Sequence, residues 1–361
     1  MSGDWLLIDD SPEEAAAFAA GLSKDNALKI VPMGAQEAAA AINAGNFSPT
    51  GVLMDVDLSN ETGSQQSGPG MAQDIRVAQQ KRAVPGFPIV RFSLRDKVLE
   101  NIGHDSSSDD IFDLKIEKDG LSTPDARSAA QAKLIGVRQL YDALSVDGAE
   151  LLQILGLTDE QWCQWGSTAF QSDFDIGDRV HLKAGPLVRM IIHPGLLIDE
   201  DMLAVRLGVD LHNSKGWETL ADELAPYAYR GVASECFPRW WARGIEDWWQ
   251  EEIGADTPLA GCTIAQRTEL LTAIVADLVP LQMPKGSLGD RPWRYCLLSR
   301  EAQQQFIPVD PTRAVKVKPR SSMPPWIDPL YAALGVALQN RDDPRLDKED
   351  LKRLPVYLRE T

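Results

Sequence analysis

Cysteine is scarce and poorly placed for structural duty. Cys163, Cys236, Cys262 and Cys296 are scattered over the second half of a 361-residue chain, with no CxxC pair. That argues against a disulfide framework or a zinc site and reads as reduced, mostly buried thiols. The four histidines, His104, His181, His193 and His212, show no HExxH or other metal-ligand spacing. The chain has no GxxxxGK[ST] loop, no GxGxxG after a strand and no Gly-x-Ser-x-Gly elbow, so the common phosphate-binding, dinucleotide and hydrolase signatures are missing. No apolar run approaches the ~20 residues of a membrane-spanning helix. Basic charge is also short: the net charge is −17, with −8 in residues 1–146 and −9 in 147–361. Neither half has the balance of a nucleic-acid or anionic-membrane binder. The start, Met-Ser-Gly-Asp-Trp, leads directly into a strand and has no signal-peptide pattern, so a cytoplasmic location is expected.

What the chain does have is an acidic residue at the end of each of two hydrophobic strands. Asp9 and Asp10 close Trp5-Leu6-Leu7-Ile8, and Asp55 closes Val52-Leu53-Met54. In α/β proteins, the C-terminal ends of neighbouring parallel strands form the edge where sites are built. Three carboxylates there would make a hard-oxygen site suited to Mg²⁺. The surrounding pattern is α/β. Ser11-Pro12-Glu13-Glu14 reads as a capping box opening a helix to Gly21, and Leu28–Val31 reads as a strand. A helix over 35–44, a polar loop over 59–68, a helix over 71–82 and the strand Ile89–Phe92 follow. Next come a helix from Leu94 to Ile102, a serine-rich stretch at 106–108, the strand Phe112–Glu117, and a long helix capped by Thr123 that reaches about Leu144. Five strand–helix units predict a five-stranded, doubly wound parallel sheet of the CheY/flavodoxin type over residues 1–146.

Residues 3–145 resemble the receiver domain of two-component response regulators, the CheY-like fold. The resemblance implies a signalling switch. Asp55 matches the phosphoacceptor, and Asp9 and Asp10 match the acidic pair that holds Mg²⁺ together with Asp55 and the backbone carbonyl of Asp57. Ser93 matches the hydroxyl position after the fourth strand. Lys118 matches the lysine after the fifth, and Lys115 does so in a shifted register. The alternation of Phe112, Leu114 and Ile116 favours Lys118, whereas counting from Ser93 favours Lys115. In such a site Asp55 acts as nucleophile and forms an acyl phosphate, and Ser93 and the lysine bind phosphoryl oxygens. The family proline after the phosphoacceptor turn is replaced by Ser59, and the loop that follows is longer than usual. No proline follows either lysine. The implied partners are a sensor histidine kinase or another phosphodonor, and a second copy of the chain in a homodimer.

Residues 147–361 read as a mainly α-helical domain rich in tryptophan, with a proline-rich stretch over 280–325 that divides it. Nine of the ten tryptophans lie there. Pro238 to Glu252 reads as one helix carrying the pairs Trp240-Trp241 and Trp248-Trp249. Those pairs predict either an exposed partner surface or, the favoured reading, a helix buried on two sides. Val180–Ile192 reads as strand or irregular, broken at Gly185-Pro186. Leu203–Asp210 and the helix after Lys215 faintly match a helix-turn-helix, but Glu218, Asp222 and Glu223 would repel phosphates. The alternating row Arg313, Lys316, Lys318, Arg320 suits a charged edge strand better than an anion grip. The expectation is therefore a phosphorylation-controlled protein–protein interaction output. A pseudo-receiver scaffold, a DNA-binding regulator and a receiver-gated enzyme are the alternatives.

Overall fold

The computed structural model describes residues 4–24, 27–58, 67–94, 110–175, 177–254, 256–302, 306–319 and 323–359. All but the first residue of the expected helix at 94–102, the serine-rich stretch and most of the loop at 59–68 lie outside these residues. The chain packs as two units. The first gathers 1–159, 168–192 and 230–237, and the second gathers 160–167, 193–229 and 238–361. Among the described residues no helix is long and apolar enough to cross a membrane.

The first unit is built on a five-stranded, all-parallel sheet: β1 (Trp5–Ile8), β2 (Ile30–Met33), β3 (Gly51–Met54), β4 (Ile89–Ser93) and β5 (Leu114–Glu117), in the order β2-β1-β3-β4-β5. Helices α1 (Pro12–Leu22), α2 (Ala35–Asn43), α3 (Gly68–Gln80) and α4 (Pro124–Leu144) flank it. α1 packs beside α4, and α2 packs beside α3. Every residue of β1 and β3 is buried, as expected for parallel strands covered on both faces. Leu6, Ile8, Val52, Met54 and Ile89 meet Ala38, Met71 and Ile75 in one core.

Two of the four helices flanking the sheet open on a side-chain cap, and α3 begins at Gly68, three residues before the expected 71. Thr123 caps α4 by accepting from the Ala126 N–H, and Ser67 caps α3 by accepting from Gly70. Ser11 stands at the N-cap of α1, but the side-chain bonds of the expected capping box do not form. The Ser11 N–H that Glu14 would have bound is donated instead to Asp9 Oδ1 at 2.9 Å.

Near the opposite end of the sheet lies a buried polar lock. Arg76 of α3 pairs with Asp113 at 2.7 Å and donates to the carbonyls of Ile111 and Phe87. Asp113 also accepts from the Tyr141 hydroxyl at 2.8 Å and from the Ile89 N–H at 2.8 Å. One carboxylate thus ties α3, β4, β5 and α4 together. Burial works to pull the Arg76 guanidinium down, but Asp113 and Tyr141 outweigh it and raise it.

Val180–Ile192, expected as strand or irregular, is a helix with Pro186 inside it. A proline there costs about 3 kcal/mol in lost hydrogen bonding and clash. Packing decides the outcome: Ala184, Leu187, Val188, Met190 and Ile191 are buried, and the helix lies against α4.

The second unit consists of short helices and two-residue antiparallel pairs. Trp240 and Trp241 are not helical; they form a strand paired with Leu197–Ile198, and the helix begins only at Ala242. Trp241, Trp248 and Trp249 are buried and Trp240 is half-buried against the same core, so the tryptophan pairs contribute mainly to the core. Val315–Lys316 pairs antiparallel with Tyr331–Ala332; Val315 and Val317 face inward, and Lys316 and Lys318 are exposed. Arg313 is half-buried, and Arg320 is outside the described residues.

Truncating one partner of the lock strands the other charge in the core. Asp113→Ala should therefore lose about 3–5 kcal/mol of stability, and Arg76→Leu/Asp113→Leu together should lose less than Asp113→Ala alone; urea unfolding at pH 7 measures both. His181, in the helix against α4, supplies a pH prediction. Burial, with help from Arg76, pulls its pKa from 6.5 to about 4. The folded state then keeps His181 neutral where the unfolded chain binds a proton. Its contribution is full above pH 6.5 and is lost as pH falls toward 4. His181→Gln should flatten the decline in urea midpoint between pH 7 and pH 4.5.

Candidate functional site: an acidic sheet edge

Strand register brings the site together. β1 and β3 are neighbours with Ile8 opposite Met54, so the residues that follow, Asp9 and Asp55, emerge side by side. β4 and β5 are neighbours with Ser93 opposite Glu117, which sets Ser93 level with the start of the 3-10 turn Lys118–Leu121. After β1 the chain turns to one side to make β2, and after β3 it runs to the other to make β4. Open α/β sheets bind ligands at such a reversal.

Four of the expected residues make direct contact. Lys118 Nζ donates to Asp9 Oδ2 and to Asp55 Oδ2, each at 2.6 Å. Ser93 Oγ donates to the other Asp55 oxygen, Oδ1, at 2.5 Å. The Asp57 N–H leans on the same Oδ1 at 3.4 Å. Asp55 is 0% exposed, Ser93 1%, Asp9 and Lys118 4%, and Asp10 9%. Asp10 completes the group: one oxygen each from Asp9, Asp10 and Asp55 lies within 4.8 Å of the others. Lys115, the alternative lysine, is exposed on β5 and does not join them.

Burial pushes the Asp9 carboxyl up; the Lys118 ammonium and the Ser11 N–H pull it down, and they do not fully offset burial. Burial also works to lower the Lys118 ammonium, but its bonds to Asp55 and Asp9 and their charges outweigh that and raise it. Among the described residues, a single ammonium, Lys118, bonds to these carboxylates. The donor set, all hard oxygen with a surplus of negative charge, fits Mg²⁺ or Ca²⁺ rather than a softer metal.

Two features of the site were not apparent from sequence. Lys118 lies over two aromatic rings, 5.8 Å from the centre of Phe18 and 5.6 Å from that of Phe92. Those rings meet edge to face at 5.2 Å. Phe18 is the single aromatic in the alanine-rich α1, and that isolation is the signal that could have flagged it. The second feature is Gly68, the first residue of α3. Its N–H donates to the Val56 carbonyl at 2.9 Å, and a Cβ on it would fall 1.9 Å from the Asp55 carbonyl oxygen. Glycine lets α3 begin against the backbone of the Asp55 turn.

No family model matches the chain, and no curated protein matches it. One solved structure, described as a yeast Spc42 trimeric coiled coil (amino acids 181–211) fused to another structure, overlaps 41% of this chain and 87% of its own. The identity is 16% and the TM-score 0.27, too slight a likeness to carry an argument.

Gly68→Ala tests the close approach. The added methyl forces α3 or the Asp55 turn to shift, an overpacking change expected to cost about 1–3 kcal/mol. A lowered urea midpoint, with altered amide signals at Asp55 to Asp57 in NMR spectra, is the expected result.

Proposed function

We propose that the first unit is a doubly wound, receiver-like phosphoacceptor domain and that it controls a protein–protein interaction made by the second unit. The observation that carries this reading is the division of Asp55: Ser93 on one carboxylate oxygen, Lys118 on the other, with Asp9 and Asp10 alongside. A nucleophilic carboxylate needs neighbours that can transfer to the incoming phosphoryl group as its charge arrives. Ser93 and Lys118 are hydrogen-bond donors already oriented at that point.

In the proposed reaction an Asp55 oxygen attacks the phosphorus of a phosphohistidine on a sensor kinase, or of another phosphodonor. The P–O bond of an acyl phosphate forms while the P–N bond to histidine breaks. Lys118 stays beside the carboxylate and pairs with a phosphoryl oxygen. The Ser93 hydroxyl leaves Oδ1 and donates to a second one. Mg²⁺ held by Asp9, Asp10, Asp55 and the Asp57 carbonyl would neutralise phosphoryl charge. The swing of Ser93 at the end of β4 re-aims the β4–β5 face and shifts an equilibrium between arrangements that already exist. Homodimerisation through that face belongs to the same proposal.

A second reading rests on the same contacts. Lys118 already spans Asp9 and Asp55, so part of the edge's negative charge is compensated within the protein and the edge serves as a metal-free docking scaffold.

Beryllofluoride, which mimics a phosphoryl group, separates the two. With Mg²⁺ present it should bind saturably and shift the backbone amide signals of Asp55 and Ser93 in NMR spectra. Asp55→Asn should abolish the response. A folded wild-type protein that responds to neither Mg²⁺ nor beryllofluoride would rule out the switch and favour the scaffold.

A further inference from the structure

Among the described residues, five buried side-chain polar atoms make no hydrogen bond: Nε of Arg206, Nη2 of Arg267, Nε of Arg294, and the indole nitrogens of Trp240 and Trp241. All five are N–H donors and all lie in the second unit. What this core lacks is acceptors. Buried polar groups without partners are rare and costly, and an ion is one of the few things that explains several together.

Three of the five form one cluster. Arg206 and Arg267 lie 4.8 and 5.5 Å from the centre of the Trp293 ring. Arg206 and Arg294 share a single carboxylate: Arg206 Nη2 donates to Asp328 Oδ2, and Arg294 Nη2 pairs with Asp328 Oδ1 at 3.0 Å. Nε and Nη2 lie on one edge of a guanidinium, the edge that grips an oxyanion with two parallel bonds. In both arginines Asp328 uses half of that edge and leaves Nε without an acceptor. A carboxylate has too few oxygens in one place to serve two such edges, whereas a phosphoryl group presents three. Burial, the largest effect on Arg267 and Arg294, pulls both down to about 10, and the carboxylates around them do not make up the difference. The cluster reaches the surface where the side chains of Arg294 and Asp328 are 15% and 17% exposed.

We propose that the paired Nε–Nη2 edges of Arg206 and Arg294 form a site for a phosphate or phosphomonoester group, with the Asp328 carboxylate standing in the ligand's place. The ligand enters from the Arg294 side and displaces Asp328. Arg267, also close to the Trp293 ring, adds positive charge.

The test is a thermal-shift and calorimetric titration with inorganic phosphate, methyl phosphate and acetate at ionic strength matched with chloride. It is run in Asp55→Asn protein so that the acidic edge of the first unit does not contribute. Both phosphates should stabilise saturably, and acetate should not. Asp328→Asn should bind phosphate roughly tenfold more tightly, because a resident like charge is removed. Arg294→Gln should lose the response. Equal binding of acetate, an unchanged response in Arg294→Gln, or no saturable response in either Asp55→Asn protein or its Asp328→Asn variant overturns the proposal. If Asp328→Asn does not fold, the comparison between Arg294→Gln and its parent decides, since Arg294 is partly exposed.

Discussion

The bridge from Lys118 to Asp9 and Asp55 is the contact on which the architecture of the first unit turns. Two carboxylates that are almost wholly buried cannot both stay charged without a partner. Among the described residues, the ammonium that meets both comes from beyond β5, on the far side of β4 from Asp55. For Lys118 to arrive there, β4 and β5 must pair so that Ser93 lies opposite Glu117. The 3-10 turn must then follow directly, and Phe18 and Phe92 must leave a slot for the lysine stem. The site is therefore a consequence of sheet register, and a slip of one residue would turn each of these side chains to the other face.

The two ends of the sheet handle buried charge in different ways. At the Arg76–Asp113 end, guanidinium, carboxylate, phenol and backbone groups satisfy one another. Such an arrangement has little capacity to respond to a ligand and acts as a clamp. At the Lys118 end, among the described residues, Lys118 bonds to two of three clustered carboxylates and the Ser93 hydroxyl donates to a third oxygen. The Arg206–Arg294 cluster of the second unit is the reverse case, with cations and indole donors in excess of acceptors. At the Lys118 edge and in the arginine cluster, the mismatch between donors and acceptors, more than net charge, indicates what could bind.

The acidic edge was legible because strand ends are. An alternating or fully apolar run of four or five residues followed by aspartate marks both the strand and its exit. Asp9, Asp10 and Asp55 stand out in that way, whereas Ser93 is singled out only by the resemblance to receiver domains. Lys118 was harder, because two lysines near one strand end differ only in which residue the strand leaves at its edge. The alternation of Leu114 and Ile116 into the core decides this by directing Lys115 outward. The tryptophan-rich segment misled at its start. Proline followed by paired aromatics resembles a helix N-terminus, but Trp240 and Trp241 are held extended by pairing with Leu197 and Ile198, some forty residues away in sequence. Val180–Ile192 failed for the opposite reason: a local breaker, Pro186, was outweighed by burial against α4.

Sequence alone determined the elements whose signals are local: the five strands, the cap at Thr123, and the acidic residues that close β1 and β3. These follow from side-chain periodicity and from backbone groups satisfied within a few residues. Tertiary structure alone decided which carboxylate receives Lys118, why Asp9 takes the N–H that a capping box would use, and why Gly68 must lack a side chain. It also decided which arginines of the second unit share Asp328. Each of these depends on atoms brought within about 3 Å from distant parts of the chain, where hydrogen bonding and close packing act, and no local pattern of residues encodes that proximity.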